Sequence, residues 1–437
     1  MLFYVDEISI RLIYTLDFVF KEHGLEYQLT NDKHVFDSFK GTKLSYSRFE
    51  FDDSPVLTPA GLLFEETFRG SVLAEKGSWN GVECLKLDSV VDPLAAIFYV
   101  LSRYEEYHSS FPDDHGRFTA KESIQSKLGW LHLQIVERWI EVFLQMYAPE
   151  LLQELKARKF IRIIPSFDID NTFAYKWKEG WRSWLSNGKD LLQNNKERLR
   201  TRKLVQKGEL ADPFDSFETI RSVSQNYPET RIFWQLGNYA KYDTNIAWNH
   251  PQHQELIFQL SESGNVGLHP SYASNHSDEK LNQEVLRLEK ITSKPVLESR
   301  QHFLKLNLPG TYLRMIERGF EKDFTMGYAD DYGFRAGTAY EHAFFDLLAN
   351  RYYPEYRIVP FAYMDGTLLE YRKLTIDQSL EAVKQLIDEV KKYGGTFCFI
   401  WHNETLAEAG KWKGWKRVFD YTLEQFGTQI SQSPTLS

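Results

Sequence analysis

Cysteine is nearly absent from this 437-residue chain, with Cys84 and Cys398 the only two. Two thiols so far apart make neither a disulfide framework nor a CxxC zinc pattern, which fits a reducing compartment. Cys398 falls in the apolar run 396–401 (TFCFIW) and reads as a small core residue. Long hydrophobic runs are missing as well. The opening stretch MLFYVDEISIRLIYTLDFVF is broken by Asp6, Glu7, Arg11 and Asp17. It therefore predicts neither a secretory leader nor a membrane span, and a cytoplasmic location is expected. Nor is there a basic excess: 52 Lys and Arg against 61 Asp and Glu leave a net charge of -9. That balance argues against a general nucleic-acid binder. No internal repeat or low-complexity tract interrupts the chain.

What is present is an ordinary globular balance of 42% hydrophobic and 26% charged residues, which disfavours disorder. Aromatic residues are plentiful at 15%, serving either a large core or a cleft that stacks on sugar rings. The length predicts two domains. Residues 1–155 mix short strand-like runs with helical stretches at 92–106 and 131–146, and read as a smaller α+β domain. The polar segment 111–118 (FPDDHGRF) predicts a surface loop.

From residue 156 to 437 the pattern is α/β. Short apolar runs at 160–167, 231–236, 265–268, 295–299, 324–329, 358–364 and 396–401 alternate with helical patterns such as 252–263, 278–292, 311–318 and 376–392. About seven parallel strands suit a closed or nearly closed, distorted (β/α) barrel, with a doubly wound sheet as the alternative. The segment 176–207 breaks the rhythm. It is basic and carries Trp177, Trp181 and Trp184, with Arg198, Arg200, Arg202 and Lys203 near its end. It reads as a solvated helical excursion whose tryptophans pack on the domain; contact with a membrane surface is the less favoured alternative.

Polar residues gather at the ends of the expected strands. Asp168 and Asp170 follow the first run, His269 follows NVGL, Arg300 and His302 follow PVLES, Asp330 and Asp331 follow FTMGYA, Asp365 follows VPFAYM, and His402 follows FCFIW. In parallel barrels the carboxyl ends of the strands hold the active site. Residues two apart in a strand share a face, so Asp168 and Asp170 would aim together and repel unless a cation or a shared proton relieves them. A divalent metal on one, with the other acting as base on a water, meets that need. A turn in which one Asp caps a helix is the structural alternative. His269 is held by Pro270 in a rigid turn, as a ligand would be, although a lone histidine is often structural. His402 would be a general acid, a ligand or a buried histidine. Arg300 would be an anion clamp or an ordinary ion-pair partner of Glu298 or Asp330.

Together SFDID, GLHPS, SRQHF and CFIWH resemble the ordered motif set of the polysaccharide deacetylases (carbohydrate esterase family 4) over residues 160–405. The resemblance implies a distorted (β/α) barrel that removes acetyl groups from N-acetylated sugars, on a saccharide or lipid-linked saccharide substrate. It implies Asp168 as general base, Asp170 and His269 as metal ligands, Arg300 as the third-motif arginine, and His402 as the acid that protonates the leaving amine. The expected cofactor is a divalent metal, with Zn2+ first and Mn2+, Co2+ or Ni2+ as alternatives. Two features depart from the family. The second-motif histidine is replaced by Ala273, and the third motif reads Arg300-Gln301-His302-Phe303. His302 is the economical replacement ligand, with Ser271, Ser274 or His276 as alternatives. Ser271, Asp330, Arg335 and Asp365 complete the site as expected substrate contacts. The segments SRYEEY and DDHGRF resemble an uncharacterised domain found ahead of divergent deacetylases. Two other classes stay open: a glycoside hydrolase using Glu298 with Asp330 or Asp331, and a saccharide-binding protein without activity.

Overall fold

A computed structural model describes residues 1–108, 112–178 and 196–427. Phe111, Trp181, Trp184 and much of the basic segment lie outside the described residues. The chain clusters into two compact units that do not follow a single cut in the sequence. The first takes Met1–Arg162, Leu306–Ala362 and Gln385–Phe397; the second takes Ile163–Lys305, Tyr363–Lys384 and Cys398–Ser437.

In the first unit, strand Leu2–Val5 is flanked by two parallel partners, Gln28–Thr30 and Lys43–Tyr46. Helix Pro93–Leu101 starts where the Asp92 carboxylate accepts from the Leu94 and Ala95 N–H groups, and every one of its residues is buried. It stops before the expected end at 106, because Arg103 takes a φ of 54° and turns its guanidinium onto Glu105 and Glu106. The expected strand at 324–329 is not formed. Strand Lys322–Asp323 ends when the Asp323 carboxylate accepts from both the N–H and the hydroxyl of Thr325, closing a local turn. An antiparallel hairpin, His342–Asp346 with Arg351–Ile358, stands where only parallel strands were expected.

The second unit carries the strands that matter for chemistry: β1 (Ile161–Ile169), β2 (Arg231–Trp234), β3 (Asn265–Leu268), β4 (Glu298–Ser299), β5 (Tyr363–Met364) and β6 (Gly395–His402). They lie in the order β4-β3-β2-β1-β6-β5. The pairs β1–β2, β2–β3, β3–β4 and β5–β6 are all parallel. Among the described residues the sheet is parallel-dominated, and no ring of strand pairings closes it into a barrel.

Alternation along the strands decides which side chains meet. Phe167 packs on Phe419, and Trp234 stacks on Phe217 beside His253, so these residues face the helices Lys416–Glu424, Phe217–Asn226 and Pro251–Ser263. Asp168, Asp170 and Phe233 therefore stand on the other face. There Gly267 leaves room for the Phe233 ring, which lies under the Arg300 guanidinium, 4.5 Å from ring centre to Cζ.

Candidate active site

Asp168, at the end of β1, is buried and paired with the equally buried Arg300, its Oδ1 2.8 Å from Nη1. Arg300 Nη2 also donates to Ser166 Oγ at 2.8 Å, while Glu298 holds Arg231 at 2.7 Å. A buried guanidinium so clamped fixes the orientation of the carboxylate.

One level further along, Asp170, His269 and His302 bring one donor atom each to within 4.8 Å of one another. His269 Nε2 lies 3.0 Å from Asp170 Oδ1, and His302 Nε2 lies 3.4 Å from Asp170 Oδ2. The far sides of both rings are fixed. His269 Nδ1 lies 2.6 Å from the Arg300 carbonyl, which can only accept, so Nδ1 carries the proton. His302 Nδ1 lies 3.0 Å from Oδ1 of Asp243, a buried carboxylate whose oxygens also accept from the Tyr272 and Ala273 N–H groups. In the neutral tautomers both Nε2 lone pairs then face Asp170, the orientation a metal-ligating histidine requires. Asp170 Oδ1 is buried and, among the described residues, accepts no hydrogen bond despite its close neighbour. An orphaned carboxylate oxygen beside one imidazole nitrogen, with a second imidazole at the other oxygen, fits a divalent cation, so the residues present suit the group that the motifs imply.

Charges respond to this crowding. Burial alone would raise the Asp170 carboxyl, yet His302 and His269 outweigh it and hold it well below the usual carboxylate range. Burial alone would lower His302, yet Asp170 and Asp243 raise it to about 9. Without a cation, then, a proton on His302 does the neutralising, and a bound metal would displace it.

His402, at the end of β6, faces the same carboxylate, its Nε2 3.6 Å from Asp170 Oδ2. Its Nδ1 lies 2.8 Å from Asp365 Oδ1, and its backbone N–H donates to Asp365 Oδ2 at 2.8 Å. Burial opposes its charge, but Asp365, Asp170 and Asp168 overcome that and push the imidazole well above its ordinary value. The arrangement gathers a clamped carboxylate, two oriented imidazoles and a charged histidine around one partly open carboxylate.

Among the expected substrate contacts the picture differs. Asp365 also accepts from the Gly366 N–H and the Thr405 hydroxyl, so its oxygens are committed to orienting His402. The Ser271 hydroxyl donates to Glu284 at 2.5 Å and accepts from the Ser274 N–H, which makes it a turn cap. Asp330 and Arg335 belong to the first unit. There Asp330 accepts from the Ala120 N–H at 3.2 Å, and the buried Arg335 binds Glu106 through Nε and Nη2 and the Gly327 carbonyl through Nη1. Asp331 caps its own following N–H group. The other proposed replacement ligands are tied locally: Ser274 Oγ donates to the Ser271 carbonyl, and His276 Nε2 meets Lys305 Nζ at 2.9 Å. Trp177, the one tryptophan of the basic segment that is described, packs edge-on against Phe173 and stacks on His250.

Sequence reasoning missed Asp243 and Glu404. Asp243 sits in the loop 235–250, nine residues past β2, where no rule about strand ends reaches it. Glu404 follows His402 on the short helix Asn403–Leu406, and burial raises its carboxyl to about 7 although His402 opposes the rise. Its signal was adjacency to a singled-out histidine.

Residues 1–150 match the model of a family of unknown function, DUF7033. No curated protein matches the chain. Several solved structures overlap it in part. The polysaccharide deacetylase Bc1974 from Bacillus cereus is 11% identical, with 61% of this chain and 86% of that chain covered and a TM-score of 0.28. Puue allantoinase is 11% identical over 61% and 85%, with a TM-score of 0.34. The 4-alpha-glucanotransferase from Thermococcus litoralis is 13% identical over 61% and 39%, also at 0.34. No helix among the described residues is long and apolar enough to cross a membrane.

Proposed function

We propose that this protein is a metal-dependent hydrolase that removes acetyl groups from N-acetylated sugars, free or lipid-linked. The observation that carries this reading is the pair of histidines, His269 and His302, whose Nδ1 protons are held by Arg300 and Asp243 while both Nε2 atoms face Asp170. Asp170, His269 and His302 would hold the cation, zinc first, with Mn2+, Co2+ or Ni2+ as alternatives. Such an ion supplies Lewis acidity and makes a water acidic enough to lose its proton near neutral pH. Asp168, aimed by Arg300, takes that proton as general base while the water oxygen bonds to the acyl carbon. His402, kept charged and aimed by Asp365, gives its proton to the sugar nitrogen as the C–N bond breaks, so the amine leaves neutral. The glycoside hydrolase reading loses support because Glu298 is engaged by Arg231 and Asp331 caps its own loop.

Two measurements test the proposal together: metal content of the purified protein, and incubation with an N-acetylated oligosaccharide followed by mass spectrometry. A deacetylase binds about one ion, releases acetate and leaves the chain length unchanged. Shortened chains would indicate a glycosidase, and a metal-free protein that binds the sugar unaltered would indicate a lectin-like role. His302→Ala should lose both metal and acetate release; full occupancy in that variant removes His302 from the ligand set.

A further inference from the structure

Gln235 is a polar residue that the cation cage and the proton-transfer groups leave unexplained. Its side chain is wholly buried, and among the described residues neither its Oε1 nor its Nε2 has a hydrogen-bond partner. A buried carboxamide with both ends unmet opposes folding unless something else completes it. Its backbone, in contrast, is fully engaged: the N–H donates to the Ile169 carbonyl at 3.3 Å, and the carbonyl accepts from Asn245 Nδ2 at 2.9 Å.

Register places this residue. Ile169 pairs with Trp234 and Trp234 with Leu268, so the next level holds Asp170, Gln235 and His269 side by side. The His269 N–H bond to the Trp234 carbonyl, 2.9 Å, carries the ladder to that level. Trp234 faces the helical layer and Phe233 the Arg300 side, so alternation sets Gln235 on the face of Asp168 and Asp170. An unmet carboxamide thus stands between two of the three residues of the cation cage. Asp170, beside it, has 26% of its side chain open to solvent, which gives a small ligand its approach.

We propose that Gln235 is a substrate-binding residue of this site, its Nε2 donating a hydrogen bond to the oxygen of the bound acyl group and of the carboxylic acid released from it. This deepens the deacetylase reading and rests on it. As the acyl carbon is attacked, negative charge grows on that oxygen, and a donor already fixed by the sheet stabilises it without reorganising. The unmet Nε2 donor of the free protein is then a cost to folding that the bound acyl oxygen relieves.

The test uses the full chain loaded with zinc, with sodium acetate as the probe. Gln235→Met keeps the volume and removes both polar atoms, and Gln235→Glu keeps the outline and removes the N–H. Acetate affinity by calorimetry should fall at least about tenfold in both variants, and kcat/KM for deacetylation by about 100-fold, the effect of losing one such donor. Zinc stoichiometry should stay as in wild type, and Gln235→Met should melt no lower than wild type. Unchanged acetate affinity and kinetics in either folded variant would overturn the proposal and leave the deacetylase reading standing. Loss of zinc from Gln235→Met would also overturn it, by moving Gln235 to the support of the cage. A wild-type protein that binds no zinc sinks the deacetylase reading, and this proposal with it.

Discussion

Asp243 holds His302 through Nδ1 and is itself held by two backbone N–H groups, one of them from Ala273, the position where the second-motif histidine would stand. Burial would raise this carboxyl, but the His302 contact and the two N–H bonds keep it below its ordinary value, so it stays ionised and acceptor-only. Removing that charge should weaken the hold on the metal without removing a ligand. Asp243→Asn is expected to lower zinc affinity about 10- to 100-fold, the usual effect of losing a partner behind a ligating histidine. Competition against a zinc-sensing dye measures it, and unaltered affinity would show that Asp243 serves only the loop. His302 was legible in sequence because it lies two residues past Arg300. Asp243 was not, because its role exists only once the loop 235–250 folds back over the strand ends.

At the scale of elements, Gly267 sits at the third of the four positions of β3, in register with Phe233. A Cβ there would come within 2.6 Å of the Phe233 ring and 2.8 Å of the Glu298 carbonyl, a main-chain atom that cannot step aside. The absent side chain lets the ring lie beneath Arg300, and Arg300 in turn fixes Asp168. Gly267→Ala should therefore destabilise the protein by about 1–3 kcal/mol, the range for overpacking a filled core. It should also cut turnover by displacing the ring under the Asp168–Arg300 pair. Thermal melts and kinetics on the same preparation check it; a normal melt with normal turnover would show that the ring moves freely. The next strand, β4, is short, and beyond it Phe303 and Leu304 take φ values of 60° and 53°. That left-handed turn, unfavourable for bulky residues, begins only past His302; Gln301, between Arg300 and His302, is still extended at φ -72° and ψ 130°. His302 still reaches Asp170, and the Phe303 ring packs edge-on against it at 4.8 Å.

For the molecule as a whole, stability should depend on Glu137. It is buried on helix Ile135–Tyr147, accepts from the Thr338 hydroxyl at 2.5 Å and, among the described residues, leaves Oε2 without a partner. Burial pushes its carboxyl up to about 8, so the folded state holds a proton that the unfolded chain releases near its ordinary value. The sign follows from proton counting. Below the unfolded pKa both states are protonated and nothing is lost. As pH rises from there to about 8 only the unfolded chain gives up its proton, and stability falls by at most about 1.4 kcal/mol per pH unit. Glu137→Gln keeps the Thr338 bond and removes the titration. Its melting temperature should match wild type near pH 4 and exceed it increasingly up to pH 8, then level off; a constant difference across that range would show that Glu137 does not titrate on folding.

The sequence by itself determined much of the strand-and-helix alternation from β1 onward, though not the missing strand at 324–329 or the hairpin after it, because period-2 and period-3.6 patterns are local. Helix Asp278–Thr292 and strand Asn265–Leu268 fall where their residues predicted. It also placed Asp168, Asp170, His269, Arg300, His302 and His402 at strand ends, since an apolar run that stops at a polar residue is visible without coordinates. Only the tertiary structure decided what those residues meet. It joined Arg300 to Asp168 and not to Glu298, gave Asp365 to His402, brought Asp243 behind His302, and drew Arg335 onto Glu106 in the other unit. Separations of 37 to 229 residues divide these partners, and no local pattern encodes them. Their pairing is set by burial: once folding takes a charge out of water, it must find the opposite charge or a hydrogen-bond partner wherever the sheet has carried it.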